Sequence, residues 1–370
     1  MTMACNILFI TTGLLKGGAE TQLLKVARFL KARQFKVRIV SLKPLNDFNT
    51  DFGAEGLDVV FLKNWKKSPL LNCFTLFRSV KEFKADVVIA FMFVSIIFAR
   101  FLKMWFGFKL ISSIRTSVIS NKWRQIFKLT SGWDDLVLYN SQKSKFNFEQ
   151  NNLVKRGGLV INNAISIPQI TYSKSSEGEP KNFVWISMAH FVPEKDYKTL
   201  FRATALIKNR NFRIDILGNL YHQDWPFEMI EKLEIRTHIN LLGLKTETEP
   251  FLHNADGFVL SSFLEGMPNA LLEAMAHNKP IIASSVDGIE ELLSGVNCGF
   301  LFKQGDELGL AEKMSCIMDM TVEERYALGK NGRQHVEKTF SEEKVLEEWL
   351  SIVEQFSEKK KTPLTELLPQ

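Results

Sequence analysis

The stretch from Gly257 to Gly288 constrains the fold of this chain more than any other. It opens with the apolar run Gly257–Leu260, which predicts a buried strand, and a polar loop follows. A helix is then expected to begin at Pro268, because proline suits the first helical position, and to run to about His277. Ile281–Ser284 predicts the next strand. The order strand, loop, helix, strand is typical of a parallel α/β sheet.

The start of this helix is predicted to bind phosphate. In such a unit the free N–H groups of the first helical turn point to the mouth of the sheet. Glu265 lies just before the helix, and Glu273 shares a helical face with Asn269 and Ala270. A carboxylate at position 273 could accept hydrogen bonds from two sugar hydroxyls. The same spacing also allows a plainer interpretation, in which Glu265 caps the helix and Glu273 is solvated.

The residues around these two glutamates resemble a known signature. The run Ser-x-x-Glu-Gly-x-Pro-Asn-x-Leu-Leu-Glu-Ala-Met-Ala, which begins at Ser262, is similar to that of retaining glycosyltransferases of family 4. The resemblance implies that Glu273 binds the ribose of a nucleotide-sugar. It also implies that the loop and the helix start meet the diphosphate and the sugar, through Glu265, Gly266, Met267, Pro268, Asn269 and Ala270.

A glycine-rich loop follows the first apolar run, Asn6–Thr12, which predicts a buried strand. The loop contains Gly17 and Gly18 and leads into a helix near Ala19. It matches neither Gly-x-Gly-x-x-Gly nor a P-loop, so a tight turn would explain it. The glycine pair also resembles the first loop of the same glycosyltransferases, which implies contact with the donor phosphates and sugar.

A third loop follows the strand predicted at Phe183–Ser187 and resembles the Gly-Arg-Leu-x-x-x-Lys loop of the family. Lys195 matches the lysine, which implies a contact with the donor diphosphate, although a solvated surface lysine is the plainer interpretation. His190 stands in the position of the arginine, where a neutral imidazole would supply less charge. Leu244 follows the strand predicted at Ile239–Leu242, and the resemblance places it near the nucleotide base.

Arg115 follows the strand predicted at Lys109–Ile114, where family members often carry a histidine. An arginine cannot act as a general base at neutral pH. It could instead bind a phosphate or an acceptor carboxylate, which makes Arg115 a candidate catalytic residue beside Lys195 and Glu265. Alternatively it pairs with a nearby carboxylate and has a structural role.

The segment Phe91–Phe108 is rich in aromatic residues and contains Arg100 and Lys103. Its charges and the preceding strand argue against a membrane span. A basic, aromatic helix could lie in a membrane interface, and a core helix that covers the sheet is the alternative. Charge is also uneven: residues 1–170 carry 25 Lys+Arg and 10 Asp+Glu, a net of +15, against 22 and 31, a net of −9, in the remainder. The basic half could face an anionic membrane or a phosphorylated acceptor.

Strand and helix signals alternate through most of the chain, and the resemblance covers nearly all of it. Together they predict an α/β protein of the GT-B class, in which two Rossmann-like parallel-sheet domains face each other across a cleft. The predicted divisions are an acceptor-binding domain at 1–167, a linker at 168–181, a nucleotide-sugar domain at 182–340, and a helix at 341–370 that crosses back to the first domain and ends in a polar tail.

Composition excludes several other classes. The four cysteines form no CxxC pair, no metal-ligand spacing is evident, and no signal peptide is recognised, so reduced thiols in a cytoplasmic protein are expected. We expect no metal and no other cofactor, since protein cations could take the role of a metal. No nucleic-acid-binding module is recognised, so a nucleic-acid partner is not expected.

The predicted function is retaining transfer of a sugar from a nucleotide-sugar to a glycan or a polyprenyl-diphosphate-linked acceptor in surface-polysaccharide synthesis. The donor nucleotide is expected to be UDP, with GDP open, and the enzyme to be cytoplasmic or peripheral on the inner membrane face. A non-catalytic partner subunit that binds a nucleotide-sugar is the alternative. A GT-B epimerase or phosphorylase would share the architecture, but the Glu265 and Glu273 signature favours transfer.

Overall fold

The computed structural model describes residues 5–48, 50–169 and 182–357. Two parallel sheets account for its strands. The seven strands of the first sheet are β1 (Asn6–Thr11), β2 (Lys36–Ser41), β3 (Asp58–Phe61), β4 (Val87–Phe91), β5 (Lys109–Ile114), β6 (Leu136–Tyr139) and β7 (Leu159–Val160), and their spatial order is β3-β2-β1-β4-β5-β6-β7.

The six strands of the second sheet are β8 (Phe183–Met188), β9 (Phe212–Leu217), β10 (Ile239–Gly243), β11 (Gly257–Leu260), β12 (Ile281–Ser284) and β13 (Gly299–Phe302). Their spatial order is β10-β9-β8-β11-β12-β13. β8, β11 and β12 are buried at every position, as expected of strands that are covered on both faces.

Helices connect the strands of each sheet. Those between β1 and β7 are α1 (Gly18–Ala32), α2 (Pro69–Phe83), α3 (Phe93–Lys103), α4 (Asn121–Thr130) and α5 (Gln142–Gln150), with a 3-10 turn at Ser131–Trp133. Those after β8 are α6 (Tyr197–Leu206), α7 (Trp225–Leu233), α8 (Glu249–Asn254), α9 (Asn269–Ala276), α10 (Asp287–Leu293), α11 (Glu307–Asp319), α12 (Val322–Thr339) and α13 (Glu342–Ser357), with a 3-10 turn at Pro193–Lys195.

The described chain divides into two compact units. The first contains the residues up to Tyr139, Phe148–Ile161, and Val345 to Ser357. The second contains Asn140–Asn147 and the described residues of Asn162–Lys344. The chain therefore passes from the first unit to the second after Ile161. Most of the predicted linker, and the tail after residue 357, lie outside the described residues.

The final helix packs within the first unit. Trp349 of α13 is buried, and its ring stacks on Phe91 at the end of β4, with centroids 6.0 Å apart. Val345 and Val353 are fully buried along the same helix. Aromatic stacking and the burial of apolar side chains therefore fix this helix in the first unit.

The aromatic segment after β4 is a core helix rather than a surface helix. In α3, Ile96 and Ala99 are fully buried, and so is Arg100, which the membrane interpretation required to be exposed. The Arg100 guanidinium donates two hydrogen bonds to the Asp134 carboxylate, at 2.8 and 2.5 Å. Its remaining hydrogen bonds reach Phe127 and Thr130, so the charge is satisfied inside the unit. Of the two interpretations that the sequence left open for this segment, the structure therefore supports the core helix that covers the sheet.

Candidate functional site

The second sheet has a topological switch point between β8 and β11. From β8 the chain proceeds outward through β9 and β10, and it then returns to the other side of β8 to form β11, β12 and β13. The connections after β8 and β11 therefore leave the sheet in opposite directions and open a crevice at its carboxyl edge, where ligands of such sheets bind. These two connections carry most of the residues that the sequence predicts for the donor site.

Two of those residues form an ion pair across the crevice. The Lys195 ammonium lies 2.6 Å from Oε1 of Glu265, and the hydroxyl of Ser262 donates to the same oxygen at 2.7 Å. Glu265 is 8% exposed, whereas a quarter of the Lys195 side chain is exposed. The pair therefore sits at the rim, with its cation toward solvent. A diphosphate that binds Lys195 would have to share this cation with Glu265.

Hydrogen bonds hold the two loops together around this pair. The hydroxyl of Ser261 donates to the carbonyl oxygens of Lys195 and Asp196, at 3.1 and 3.0 Å. The N–H of Phe263 donates to the Glu194 carbonyl at 2.7 Å. Asp196 adopts a left-handed conformation, with φ of 44°, and caps α6 by accepting the N–H of Thr199. The position of Lys195 is therefore set by main-chain contacts on both sides of the crevice.

The helix after the second loop begins one residue later than predicted. Pro268 is the N-cap of α9 and Asn269 is its first helical residue. The N-cap makes no side-chain hydrogen bond to the helix, so the positive end of the helix dipole is not neutralised by a capping group. Asn163, which the sequence analysis did not assign, fixes this end: its amide donates to Oδ1 of Asn269 at 2.6 Å and to the Met267 carbonyl at 3.4 Å.

Gly288 fixes the other side of the same loop. A Cβ atom there would lie 2.2 Å from the carbonyl oxygen of Gly266 and 2.6 Å from that of Glu265. Both neighbours are backbone atoms, so a side chain at this position would displace the loop that carries Glu265. Gly288 lies in the first turn of α10.

Glu273 lies on the outer face of α9. Leu271, Leu272 and Met275 are fully buried, while Glu273 is half-buried on the face it shares with Asn269. His277, one turn further on, bonds through Nδ1 to the Glu273 carbonyl at 2.8 Å. Burial lowers the pKa of His277 below its ordinary value. The role of the Glu273 carboxylate toward a ribose remains a prediction.

The two remaining predicted residues of the second unit lie at the ends of β8 and β10. Nδ1 of His190 accepts the N–H of Asn219 at 3.1 Å, so the ring is oriented by the loop after β9. The loops approach closely there, because a Cβ atom at Gly218 would lie 1.9 Å from the Ala189 carbonyl oxygen. Leu244 is 42% exposed and follows Gly243, which has a positive φ of 71°. The donor contacts that the resemblance implies for His190 and Leu244 stay predictions.

The first sheet has its own switch point, between β1 and β4, and the glycine loop lies there. Gly17 is the N-cap of α1, and Gly18 is its first helical residue. In the first turn of α1, burial raises the pKa of the Glu20 carboxyl to about 7. Thr12 and Ser95 share a hydrogen bond of 3.3 Å between the two connections. The glycine pair therefore lies at the carboxyl edge of the first sheet, and its contact with a donor stays a prediction.

Arg115 is buried within the first unit rather than open at the sheet mouth. Its guanidinium lies 5.4 Å from the ring centres of both Phe91 and Trp349. It donates to Ser113 at 2.9 Å and to the Ile161 carbonyl at 3.2 Å, and burial lowers its pKa to about 9. The structure thus gives Arg115 aromatic and neutral neighbours, and its proposed phosphate or acceptor contact stays a prediction.

The described ranges contain neither a metal site nor a membrane-spanning helix. Within residues 5–48, 50–169 and 182–357, no group of three or more histidine, cysteine, aspartate or glutamate side chains is placed to hold a metal ion. Over the same ranges, no helix combines the length and the apolar character needed to cross a bilayer.

Comparison with known proteins agrees with this geometry. Residues 169–335 match the family model described as glycosyl transferases group 1. A putative colanic acid biosynthesis glycosyltransferase, WcaL of Escherichia coli K12, is 27% identical over 46% of this chain, but the match spans only 44% of that protein. An α-1,4-N-acetyl-D-galactosaminyltransferase of Campylobacter jejuni, named for a GalNAc-containing diNAcBac-PP-undecaprenol acceptor, is 26% identical over 94% of this chain and 98% of its own.

A solved structure extends the likeness to the whole fold. Anabaena HepE, in complex with UDP, superposes with a TM-score of 0.81 over 95% of this chain and 100% of its own, at 20% sequence identity. The two Rossmann-like domains therefore define a GT-B fold, the fold class of glycosyltransferases. Its residues 169–335 are thus similar to the group 1 glycosyl transferases, and its curated relatives are glycosyltransferases.

Proposed function

We propose that this protein is a retaining glycosyltransferase that moves a sugar from a nucleotide-sugar, with UDP as the nucleotide, to a glycan or lipid-linked acceptor of a surface polysaccharide. One observation carries the proposal: Lys195 and Glu265 meet at the switch point of the second sheet, beside the uncapped start of α9. A cation and a helix N-terminus together are suited to a diphosphate leaving group.

The chemistry follows from these groups. The bond between the anomeric carbon and the diphosphate oxygen breaks, and the acceptor oxygen forms a new bond to that carbon on the same face. The acceptor proton passes to the departing phosphate oxygen. Lys195 and the N–H groups at the start of α9 stabilise the negative charge that develops on the diphosphate, a role that a metal ion would otherwise take.

Glu265 contributes to the same step by position. Its carboxylate is fixed by Lys195 and by Ser262, so it can face a developing positive charge on the sugar without moving. A carboxylate held in this way costs no reorganisation when the charge forms. The Glu273 carboxylate, on the face of α9 that points away from the core, would accept hydrogen bonds from the ribose hydroxyls. Leu244 would lie near the nucleotide base.

The acceptor is proposed from the relatives. The Campylobacter protein, which this chain matches along almost its whole length, is named for an acceptor on undecaprenyl diphosphate. A lipid-linked, anionic acceptor is also consistent with the net charge of +15 in residues 1–170, from 25 basic and 10 acidic residues. We therefore place the enzyme on the cytoplasmic side of a membrane that carries such a lipid.

A second candidate is a nucleotide-sugar-binding subunit without catalytic activity. Two observations favour it: a histidine stands at position 190 where the resembling enzymes carry an arginine, and Arg115 is buried against aromatic rings. Such a subunit would bind the donor through the same residues and depend on a partner chain for transfer.

Calorimetric titration with UDP, GDP and common UDP-sugars, followed by turnover assays, separates the candidates. The proposal expects one UDP-sugar to bind and then to be consumed when a short-chain polyprenyl-diphosphate acceptor is added. The stereochemistry of the product, read from its anomeric proton, tests retention. Binding without turnover on any acceptor supports the subunit, and no binding of any nucleotide rejects both.

A further inference from the structure

Helix α2 of the first unit presents an apolar face to solvent. Its inward side is set by Asn72, Leu76 and Val80, which are buried. On the opposite side Leu70 is 85% exposed and Phe74 is 62% exposed. Because these two residues are one helical turn apart, they form a continuous stripe. Large exposed apolar groups arranged in this way mark an interaction surface.

The stripe continues beyond the helix. Phe77, one turn after Phe74, is 38% exposed, and its ring contacts Phe106, with centroids 4.6 Å apart. Next to Phe106, Trp105 is 66% exposed and lines a cavity of about 320 Å³ with Lys81 and Lys84 at the end of α2. The α2 surface is therefore defined by the apolar side chains of Leu70, Leu71, Phe74, Phe77 and Trp105.

Basic residues border the α2 surface at both ends. Residues 62–84 contain six Lys+Arg and one Asp+Glu, a net of +5. The single acidic side chain, Glu82, pairs with Arg78. Lys66 and Lys67 are exposed before the helix, and Lys81 and Lys84 are exposed at its end.

This combination indicates which kind of partner the surface binds. Lysines are depleted at protein–protein interfaces, whereas a lysine border around leucine and aromatic side chains is the pattern of helices that lie in a bilayer interface. Long lysine side chains can reach anionic headgroups while the leucine and phenylalanine side chains enter the acyl boundary. Trp105 has the aromatic character favoured at that depth.

We propose that the α2 surface docks the protein on an anionic lipid bilayer, with α2 parallel to the membrane plane. The proposed lipid-linked acceptor explains why the enzyme would dock on a membrane, and in that respect the inference rests on the proposed function. The docking itself is measured without any sugar donor or acceptor. The α2 surface is distinct from α3, for which the sequence left a membrane interface and a core position open. Most of α3 is buried, and Trp105 in the segment after it is exposed.

Flotation with vesicles tests the docking. Wild-type protein should float with phosphatidylglycerol-containing vesicles at low ionic strength and remain at the bottom with phosphatidylcholine alone. Phe74→Glu and Leu70→Glu should each reduce the bound fraction about tenfold, since each removes one apolar side chain that docking would bury in the bilayer. Leu308→Glu is the matched control, because Leu308 is 69% exposed on α11 of the second unit. Failure of the wild type to float, or an equal loss in the control, overturns the proposal.

The cysteines give a second, independent measurement. Cys73 lies on α2 and is exposed, Cys316 is exposed on α11, and the other two cysteines are buried. An environment-sensitive dye on Cys73, in a Cys316→Ser background, should shift its emission to the blue with anionic vesicles. The same dye on Cys316, in Cys73→Ser, should not shift. An equal shift at both positions, or at neither, contradicts docking through α2.

Two further outcomes separate this proposal from its alternatives. Dimerisation that Phe74→Glu abolishes in light scattering, with no flotation, would assign the α2 surface to a second copy and overturn membrane docking. Calorimetric UDP binding is measured on the same samples. Normal UDP binding without flotation rejects only the docking, and flotation without UDP binding rejects only the proposed enzyme.

Discussion

Two ion pairs of similar chemistry have different surroundings in the two units. Arg100 and Asp134, in the first unit, are 0% and 2% exposed, and two further groups accept hydrogen bonds from the guanidinium. Lys195 and Glu265, in the second, are 25% and 8% exposed and lie at a sheet edge beside the start of α9. The first cation is sealed from solvent and makes four hydrogen bonds inside the unit, whereas the second has an exposed ammonium. The contrast teaches that solvent access, more than the pair itself, distinguishes a structural ion pair from one available to a substrate.

The largest effect is expected when the buried pair is broken. Asp134→Ala leaves the Arg100 charge without its carboxylate in the interior, which should cost about 3–5 kcal/mol of unfolding free energy. Chemical denaturation measures the loss. Glu82→Ala removes one partner of the exposed pair with Arg78 and should cost at most about 0.5 kcal/mol. Similar losses in the two variants would show that burial does not set the difference.

The rim pair should affect activity more than stability. Lys195→Met is expected to lower the rate of sugar transfer by roughly 10²–10³, the range seen when one electrostatic stabiliser is removed. Its unfolding free energy should fall much less than that of Asp134→Ala, because Glu265 keeps the Ser262 hydroxyl. Lys198→Met, at an exposed lysine three residues away, is the control and should keep its transfer rate. A large loss of stability in Lys195→Met with an unchanged rate would make the two ion pairs equivalent.

The third prediction concerns Glu273, a carboxylate near the Lys195–Glu265 pair that belongs to neither ion pair. Glu273→Ala should weaken UDP binding by about 1.5–3 kcal/mol, the usual worth of a hydrogen bond to a charged group. Calorimetric titration gives this value directly. Glu312→Ala, at an exposed glutamate on α11, should bind as the wild type does. Unchanged affinity in Glu273→Ala would remove the proposed ribose contact.

The last comparison concerns a carboxyl group whose pKa is governed by burial. The pKa of Glu20 is raised from 4.5 to about 7, so the folded state favours its neutral form. The stability that this group contributes is complete below about pH 4.5 and is lost as the pH rises to about 7. Glu20→Gln should abolish that part of the pH dependence, which denaturation at pH 4.5 and pH 7.5 would detect. An identical pH profile in the two proteins would contradict the raised pKa.

Much of the fold could be predicted from local patterns. β5, β11 and β12 begin and end at the predicted residues, because short apolar runs bounded by polar residues determine buried strands. The same patterns could not decide whether α3 is a core helix or lies at a membrane interface, since an aromatic helix with two basic residues is compatible with either location. Its assignment depended on Asp134, which lies 34 residues from Arg100 in the chain.

The sequence could indicate candidate residues of the site but not the contacts between them. The motif resemblance indicated Lys195 and Glu265 separately, yet they are 70 residues apart, and no local pattern shows that they share a hydrogen bond. Asn163 was missed for the same reason, because the residue it binds at the start of α9 is 106 positions away. The burial of Arg115 depends on Trp349 in the final helix, which the signals near residue 115 do not contain.

Gly288 gives a criterion for sorting relatives by sequence. Its Cα lies so close to the Gly266 and Glu265 carbonyls that no other amino acid can occupy the position without displacing that loop. A homologue that keeps both glutamates but has a larger residue here must have rebuilt its donor loop. The residue at this one position outside the motif can therefore separate homologues that keep the loop conformation from homologues that keep only the motif sequence.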